Sequence, residues 1–410
     1  MRFPLAAILA SALLGLCAPA ADASPKVRFG IQDDAWLVHG SGTLDERLDR
    51  VERLGVDVVR FNLHWDQIEP SRGEYDWEDS DAVLDGLHGR GIPAVVGIVG
   101  SPRWANGGRA QNFAPGASSF AGFARAAASR YRWVKQWLMW NEPNQARWLR
   151  PTTPATYVRQ ILNPGYAAIH AVIPGAKVAG GVTAPRGSSG GVSPVKWIRG
   201  MRSARARLDV YAHHPYPSSS RETPFTGGCN HCETITMATL EKLIAEVGRA
   251  FGPKRIWLTE YAYQTGAYGV TQQRQAELIG QSGLRAQKAA RVDMLIHYLV
   301  KDEPQASRFQ SGLFNLAGRP KVAALAYPLP IAQAGRSGGK LVLWGQVRPR
   351  AGVQTYRVQV RSGGAWAFSG GNRRTSGRGF FSTLVAAPSG ASVRIYSPQD
   401  GAYSATIRVR

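Results

Sequence analysis

Residues 134–143 read VKQWLMWNEP, a short apolar run that ends in a carboxylate, Glu142, directly before a proline. Pro143 lacks a backbone N–H and cannot continue a central strand, so the strand must stop here. Residues 255–261 (RIWLTEY) repeat the pattern, with Glu260 at the carboxyl end of a second apolar run. A barrel of parallel strands brings side chains from several strand ends to one face, and we predict that these carboxylates meet there.

On both sides of these two runs, short apolar segments alternate with amphipathic ones from residue 26 to about 328. The alternation predicts βα units and a parallel sheet. Helical periodicity in residues 271–300 predicts one unusually long helix. No glycine-rich phosphate-binding fingerprint follows the first strand, which disfavours a dinucleotide-binding fold. Eight strands suit a closed (β/α)₈ barrel, and we predict them at 27–33, 57–63, 93–99, 134–140, 177–182, 208–213, 255–260 and 309–314.

The sequence changes character after about residue 333. Residues 333–340 are rich in Gly, Ser and Ala, which predicts a linker. Short alternating runs separated by glycine-rich turns follow, and they predict a small antiparallel β-sandwich. The predicted strands are 340–347, 355–361, 391–396 and 404–409. We therefore predict a barrel domain at 24–332 and a sandwich domain at 333–410.

Residues 1–23 have the organisation of a secretory signal peptide. Arg2 supplies the basic start, an apolar stretch follows, and Ala21-Asp22-Ala23 offers small residues for cleavage. The apolar stretch is too short for a permanent membrane anchor, and no other segment is long and apolar enough to span a bilayer. We expect a secreted protein without a transmembrane segment.

Removal of the signal peptide would leave two cysteines, Cys229 and Cys232. One even pair in an exported protein predicts a disulfide bond. A metal site would need further ligands, and nothing nearby supplies a second cysteine-rich knuckle. We therefore expect no metal at this pair.

Lys and Arg number 50 against 28 Asp and Glu, which gives a net charge of +22. This charge could serve an anionic partner, such as an acidic polysaccharide or a cell-wall polymer. The positive residues are scattered, however, so we favour a solvated basic surface. No signature of nucleic-acid binding is present, and we expect no nucleic-acid partner.

The two strand-end glutamates have a direct chemical interpretation. Two carboxylates in close contact cannot both ionise freely, so one keeps its proton at moderate pH. The protonated group can donate to a leaving oxygen while the ionised group attacks an anomeric carbon, which is the chemistry of glycoside hydrolysis. A single glutamate after a strand is usually a surface residue in a salt bridge, but the pair predicts catalysis. This chemistry needs no metal or organic cofactor.

Asn141-Glu142-Pro143, with Glu260 after a later strand, resembles the clan of retaining glycoside hydrolases built on (β/α)₈ barrels. The clan includes the cellulase-like family 5 and the xylosidase-like family 39, and the resemblance covers roughly residues 26–328. It implies that Glu142, after the fourth strand, is the acid/base. It also implies that Glu260, after the seventh, is the nucleophile and that Asn141 binds the sugar hydroxyl beside the scissile bond.

The same resemblance assigns roles to three further residues. Arg60 on the second strand matches an arginine that braces the nucleophile, with a salt bridge to the barrel wall as the alternative. His214 and Tyr216 match the clan's His-x-Tyr after the sixth strand. Tyr216 would orient Glu260 and His214 would lie near the substrate. His213 competes for that place, and a packed core histidine is the other alternative.

Aromatic residues are the remaining candidates for substrate binding. Trp65 and Trp104 could stack on a sugar ring, and core packing is an equal alternative for each. The clan often places a tryptophan at the end of the eighth strand, and the predicted eighth strand has none. Phe309 and Phe314 are the candidate substitutes there.

These observations predict a monomeric, exported glycoside hydrolase that acts on a poly- or oligosaccharide. Two alternatives stay open. One is a catalytically silent carbohydrate-binding barrel, which the combination of Glu142, Glu260, Arg60 and Tyr216 disfavours. The other is a cell-wall-associated binding protein that acts through its basic surface and its C-terminal sandwich.

Overall fold

A computed structural model describes residues 26–305 and 309–410. The predicted signal peptide lies outside the described residues. Eight parallel strands pair in chain order and close on themselves, which confirms the predicted (β/α)₈ barrel. These strands are β1 (Arg28–Gln32), β2 (Val58–His64), β3 (Ala94–Val99), β4 (Gln136–Met139), β5 (Lys177–Thr183), β6 (Val210–His213), β7 (Arg255–Tyr261) and β8 (Val292–Tyr298).

Helices surround the barrel and connect consecutive strands. They are α1 (Asp34–His39), α2 (Leu44–Arg53), α3 (Trp65–Ile68), α4 (Glu78–Gly89), α5 (Ala117–Arg130), α6 (Pro154–Tyr157), α7 (Asn163–Val172), α8 (Pro194–Ser203), α9 (Leu240–Phe251), α10 (Gln272–Lys288) and α11 (Ala323–Ala326). A π-helical turn, Val158–Leu162, joins α6 to α7, and 3₁₀ turns lie at Arg103–Ala105 and Met237–Thr239. None of the described helices is long and apolar enough to cross a lipid bilayer.

The barrel strands are buried on both faces, as expected for a parallel sheet covered by helices. Ten buried side chains from β2 to β8, among them Val58, Leu138 and Trp257, form one apolar cluster. A larger cluster contains strand and helix residues such as Phe61 and Phe120. Because apolar packing holds the strands, their carboxyl ends are free to carry polar groups.

The eighth strand is the one barrel strand whose predicted place is wrong. β8 lies at Val292–Tyr298, inside the segment predicted as the end of a long helix, and α10 already ends at Lys288. Its apolar residues recur at three- and four-residue spacing, so periodicity alone could not distinguish strand from helix. Residues 309–314 belong instead to the loop after β8, where Phe314 makes only isolated bridges.

A C-terminal antiparallel domain of two sheets follows the barrel and confirms the predicted sandwich. Its strands are β9 (Ile331–Ser337), β10 (Lys340–Gln346), β11 (Thr355–Arg361), β12 (Ala367–Phe368), β13 (Arg373–Arg374), β14 (Phe380–Val385), β15 (Ser392–Ser397), β16 (Ala402–Tyr403) and β17 (Ile407–Arg408). The first sheet has the order β14-β10-β9, and the second has β12-β11-β15-β16 with β13 and β17 attached. Leu343, Val358 and Val393 lie in its core.

The predicted linker at 333–340 is wrong, because this stretch forms the turn and the adjoining strand residues of a β-hairpin. β9 and β10 pair through it, and the predicted domain boundary falls inside β9. Gly338 and Gly339 have φ angles of +53° and +73°, which a tight turn requires and glycine adopts without strain. These glycines mark a turn between paired strands rather than a flexible connection.

The sandwich packs directly on the barrel. A Cβ atom at Gly280 of α10 would lie 2.0 Å from the carbonyl oxygen of Ile331, so the helix and β9 touch through backbone. Trp344 Nε1 donates to Gln287 Oε1 on the same helix at 2.6 Å. The Arg348 guanidinium lies 4.2 Å above the ring of Phe29 in β1. Contacts of this kind hold the first sheet of the sandwich against the barrel.

Cys229 and Cys232 are bonded to one another, which confirms the predicted disulfide. The pair lies in the loop after β6. The Lys242 ammonium of α9 donates to the carbonyl oxygens of Cys232 and Thr234, at 2.7 and 3.2 Å. The disulfide therefore closes a small turn that α9 holds in place.

Candidate active site

Glu142 and Glu260 come together at the carboxyl ends of β4 and β7. One oxygen of each carboxylate lies within 4.8 Å of the other, and a ring nitrogen of His214 lies within the same distance of both. The backbone leaves β4 in a left-handed conformation, with φ of +73° at Trp140 and +40° at Glu142. A hydrogen bond from the Glu142 N–H to the Val182 carbonyl, at 2.9 Å, fixes this turn.

Arg60 is the central brace of the site. Its side chain extends from β2 and is fully buried. Nη1 donates to Glu260 Oε1 at 2.8 Å and to the Thr259 carbonyl at 3.0 Å, and Nη2 donates to Asn141 Oδ1 at 2.8 Å. Because Asn141 Oδ1 is used in this way, its Nδ2 is left as the donor for a ligand in the cleft. The contact with Glu260 is the one that the resemblance implied.

His214 links the two carboxylates, and its neighbours determine its tautomer. Arg60 Nη1 lies 3.1 Å from Nε2, and since arginine only donates, Nε2 must accept. The proton therefore sits on Nδ1, which donates to Glu142 Oε1 at 3.0 Å. Burial lowers the pKa of His214 to about 3, so the ring is neutral at ordinary pH.

The competing histidine belongs to the core. His213 is fully buried, and its two ring nitrogens contact the Thr183 hydroxyl at 2.8 Å and the Ile235 carbonyl at 3.1 Å. Burial also lowers its pKa to about 3. All of its polar capacity is used inside the fold, so His214 is the histidine that serves the site.

Tyr216 completes the surroundings of Glu260. Its hydroxyl donates to Glu260 Oε2 at 3.1 Å, while Arg60 donates to Oε1. Both oxygens thus accept a hydrogen bond, one of them charge-assisted, which fixes the orientation of the carboxylate. The Tyr216 ring packs against Tyr298 and Phe309 with centroids 6.3 and 5.6 Å apart. Glu260 is therefore suited to act as a nucleophile.

Glu142 has the opposite electrostatic character. Burial raises its pKa to about 7, although the positive charges of Arg60, Arg147 and Arg186 oppose the shift. The carboxyl group therefore holds its proton near neutral pH and can donate it. A carboxyl group that keeps its proton near neutral pH is what a general acid requires.

A cleft of about 1600 Å³ opens over the dyad at the carboxyl ends of the strands. Its lining includes Trp148, Tyr268, Tyr298 and Phe309, which give the cleft an aromatic surface of the kind that can stack on sugar rings. Tyr298 ends β8, in the place where the clan often has a tryptophan. Sequence reasoning missed it because the strand itself was misplaced.

Two further lining residues were missed. Trp148 lies six positions after Glu142, and an aromatic so close to the motif was a usable signal. Asp34 follows β1, lines the cleft and accepts a hydrogen bond from Asn62 Nδ2 at 2.7 Å. The adjacent carboxylates Asp33 and Asp34, at the end of the first predicted strand, could have indicated this position.

Trp65 and Trp104 lie elsewhere. Trp65 is fully buried in the core, where it stacks on Phe123 at 5.3 Å. Trp104 packs edge-on against Trp65 at 5.8 Å and donates from Nε1 to the Glu69 carbonyl at 2.9 Å. Neither is among the described residues that line the cleft. Their positions favour core packing over sugar stacking.

Glu142, His214 and Glu260 also form the one group of described residues whose spacing could suit a metal ion. Their hydrogen bonds indicate another use. The Nδ1 proton of His214 already points at Glu142, and the guanidinium of Arg60 already neutralises Glu260. A cation would have to displace that proton and lie beside a buried positive charge, so the arrangement fits a carboxylate dyad better.

Comparisons with known proteins agree with this geometry. Residues 112–327, which include both glutamates, match the family described as glycosyl hydrolase catalytic core, and residues 36–107 match a beta-galactosidase family. No curated protein matches the sequence.

Several solved structures share the fold. A family 39 glycoside hydrolase from Bacteroides cellulosilyticus WH2 is 16% identical, with a TM-score of 0.60 over 89% of this chain and 80% of that one. A family 39 enzyme from Xanthomonas axonopodis pv. citri is 14% identical, with a TM-score of 0.60 over 89% and 92%. A monomeric beta-xylosidase from Caulobacter crescentus CB15 is 14% identical, with a TM-score of 0.57 over 92% and 96%. The matched family covers more than half of the chain, and the protein belongs to the glycosyl hydrolase catalytic core family as a glycosidase of O-glycosyl compounds.

Proposed function

We propose that the protein is an exported retaining glycoside hydrolase that cleaves a poly- or oligosaccharide by double displacement. The separation of the two carboxylates carries this proposal. Retaining enzymes hold their carboxyl groups about 5–5.5 Å apart, whereas inverting enzymes leave about 6.5–9.5 Å for a water molecule. Oxygens within 4.8 Å support the retaining arrangement. Export rests on the signal-like residues 1–23 alone.

In the first step a Glu260 oxygen attacks the anomeric carbon as the bond to the leaving oxygen breaks. Glu142 transfers its proton to that oxygen. Arg60 and Tyr216 hold Glu260 in position. In the second step Glu142, now ionised, takes a proton from water, and the water oxygen attacks the anomeric carbon and frees Glu260.

The charges of the two glutamates change during this reaction cycle. Formation of the covalent intermediate removes the negative charge of Glu260, and Glu142 becomes ionised at about the same time. The Nδ1 proton of His214 faces Glu142 and stabilises that charge. Among the solved structures that share the fold, the beta-xylosidase from Caulobacter crescentus CB15 supports a β-linked substrate.

Two alanine variants test these roles with a dinitrophenyl glycoside, whose leaving group needs little protonation. Glu260→Ala should be inactive because no covalent intermediate forms, and azide should restore turnover with an inverted glycosyl azide. Glu142→Ala should keep a burst of product and then stall, and azide should release a glycosyl azide of retained configuration. Glu74→Ala, at an exposed glutamate, is the matched control and should behave as wild type.

The outcomes separate the proposal from its alternatives. Equal loss in both variants on every substrate, without azide rescue, would refute the assigned roles. A wild-type protein that binds oligosaccharides but turns over no activated glycoside would be the silent carbohydrate-binding barrel.

A further inference from the structure

Half of the protein's net charge lies in its C-terminal domain. Residues 333–410 contain eleven arginines, one lysine and a single carboxylate, Asp400. The domain therefore carries +11 of the total +22 in 78 of the 410 residues. The positions of these arginines on the domain decide whether they form one charged surface.

Strand alternation sends several of them to one side of the second sheet. In β11, Tyr356 and Val358 enter the core, so Arg357 and Arg361 point to the opposite, outer side. Residues that face one another in an antiparallel pair share a side. The β11–β15 register sets Arg357 opposite Tyr396.

The same register rule extends the outer side across the sheet. Arg394 lies opposite Gln359, and Tyr396 lies opposite Tyr403 of β16. Ser392, which faces Arg361, also faces Arg408 of β17. The arginine–aromatic face of the sandwich comprises Arg357, Arg361, Arg394, Arg408, Trp366, Phe368, Tyr396 and Tyr403.

Aromatic rings hold the arginine side chains of this face in place. The Arg357 guanidinium lies 3.4 Å from the ring centre of Phe368. Arg361 and Arg394 both lie over the ring of Trp366, at 5.0 and 4.3 Å. Cation–π contacts of this kind restrict rotamer freedom, so less entropy is lost when a ligand binds.

The charges of the face are not neutralised within the domain. None of its four arginines forms an ion pair with a described residue, and Asp400 is paired with Arg350 at 2.9 Å. Arg361 and Arg408 are exposed, and Phe368 and Tyr403 keep 39% and 36% of their surface in solvent. The face thus presents free guanidinium groups beside exposed aromatic rings.

We propose that the arginine–aromatic face binds an acidic polysaccharide, a polymer of pyranose rings that bear carboxylates. Aromatic rings can stack on the apolar faces of the pyranoses, and guanidinium groups match carboxylates with paired hydrogen bonds. Single-stranded nucleic acid would meet similar chemistry. The choice of a polysaccharide over a nucleic acid rests on the proposed function, in which the barrel of the same chain hydrolyses a poly- or oligosaccharide.

The test measures binding of the full-length chain to polygalacturonate. Glu142→Gln is included in every sample so that turnover cannot consume the polymer. Arg361→Gln with Arg408→Gln should weaken binding about tenfold, since each substitution removes one exposed ion pair with a carboxylate of the polymer. The control, Arg125→Gln with Arg202→Gln, removes two exposed charges from α5 and α8 and should change the affinity less than about twofold. Trp366→Ala should also weaken binding, because Arg361 and Arg394 lose the ring that holds them in place.

Three results would overturn the proposal. An equal loss in the control pair would assign binding to overall charge. Equal affinity for pullulan, a neutral polymer, would show that the face does not recognise carboxylates. Tighter binding of poly(dT), lost in the same variants, would identify a nucleic-acid surface. Because binding is measured without turnover, these results are independent of the azide experiments on the two glutamates.

Discussion

Arginine serves opposite purposes in the cleft and on the sandwich. Arg60 has no exposed surface and donates to several groups of the protein, among them Glu260. Arg361 is exposed and has no carboxylate partner among the described residues. The first arginine shapes a site from within, whereas the second is available to something outside the chain. Net charge cannot distinguish these cases, and burial together with hydrogen-bond partners can.

The largest effect should come from removing the buried arginine. Arg60→Gln should lower kcat/KM for an aryl glycoside by about 10³-fold, because the preorganised donor to Glu260 is lost. Arg60→Lys should recover little of this loss, since an ammonium cannot reach Glu260 and Asn141 together. The control is Arg202→Gln on the surface of α8, which should keep wild-type kinetics. Similar losses in Arg60→Gln and Arg202→Gln would remove the distinction between buried and exposed arginines.

A smaller effect should follow from a single hydroxyl group. Tyr216→Phe removes the hydrogen bond to Glu260 Oε2 and should lower kcat about 10- to 100-fold, as expected for a hydrogen bond to a charged group. Tyr211→Phe is the matched control, because the Tyr211 hydroxyl lies 3.0 Å from Thr183 in the core. That variant should lower Tm and leave kcat near wild type. A kcat loss in Tyr211→Phe equal to that in Tyr216→Phe would point to general loosening of the barrel.

The pH profile should show a smaller, directional change. Glu142 must be protonated to act as an acid, so kcat/KM should be high below its pKa and fall as pH rises through about 7. The positive charge of Arg186 lowers this pKa, so Arg186→Gln should move the alkaline limb of the pH profile to higher pH. Arg202→Gln should leave the limb in place. A limb that moved to lower pH in Arg186→Gln would contradict the assignment of Glu142 as the acid.

The smallest effect should be that of salt concentration on turnover in the cleft. Turnover of a small neutral glycoside should change less than about twofold between 50 and 500 mM NaCl, because Arg60 and its partners are shielded from ions. Binding of polygalacturonate to the arginine–aromatic face should weaken severalfold over the same range. Parallel losses in the two assays would mean that the regions do not act separately.

Much of the barrel could be predicted from sequence because its strands end in informative residues. Seven strands lie close to their predicted ranges, and the two carboxylates, Arg60, His214 and Tyr216 come together in the structure. The prediction of the eighth strand was wrong for a physical reason. Val292–Tyr298 is buried on both faces, and its apolar residues also satisfy helical spacing, so only the closure of the barrel reveals it.

The rest of the site depends on loops, and sequence patterns do not specify loop paths. Trp148 and Tyr268 line the cleft only because the connections after β4 and β7 turn toward it. Trp65 follows β2 as a candidate would, yet it turns into the core. The arginine–aromatic face of the sandwich could likewise not be predicted, because its arginines are separated in sequence and meet only through strand register.

The β9–β10 hairpin that replaces the predicted linker has a consequence for long substrates. A flexible tether would let the sandwich sweep a volume around the barrel, and the local concentration of a captured polymer at the cleft would follow from the tether's length. Backbone contact between Gly280 and Ile331 instead fixes the sandwich on the barrel, so this movement does not occur. A chain held on the arginine–aromatic face is therefore presented from one fixed point. Only polymers long enough to reach from that point to the cleft should gain from it, and short oligosaccharides should not.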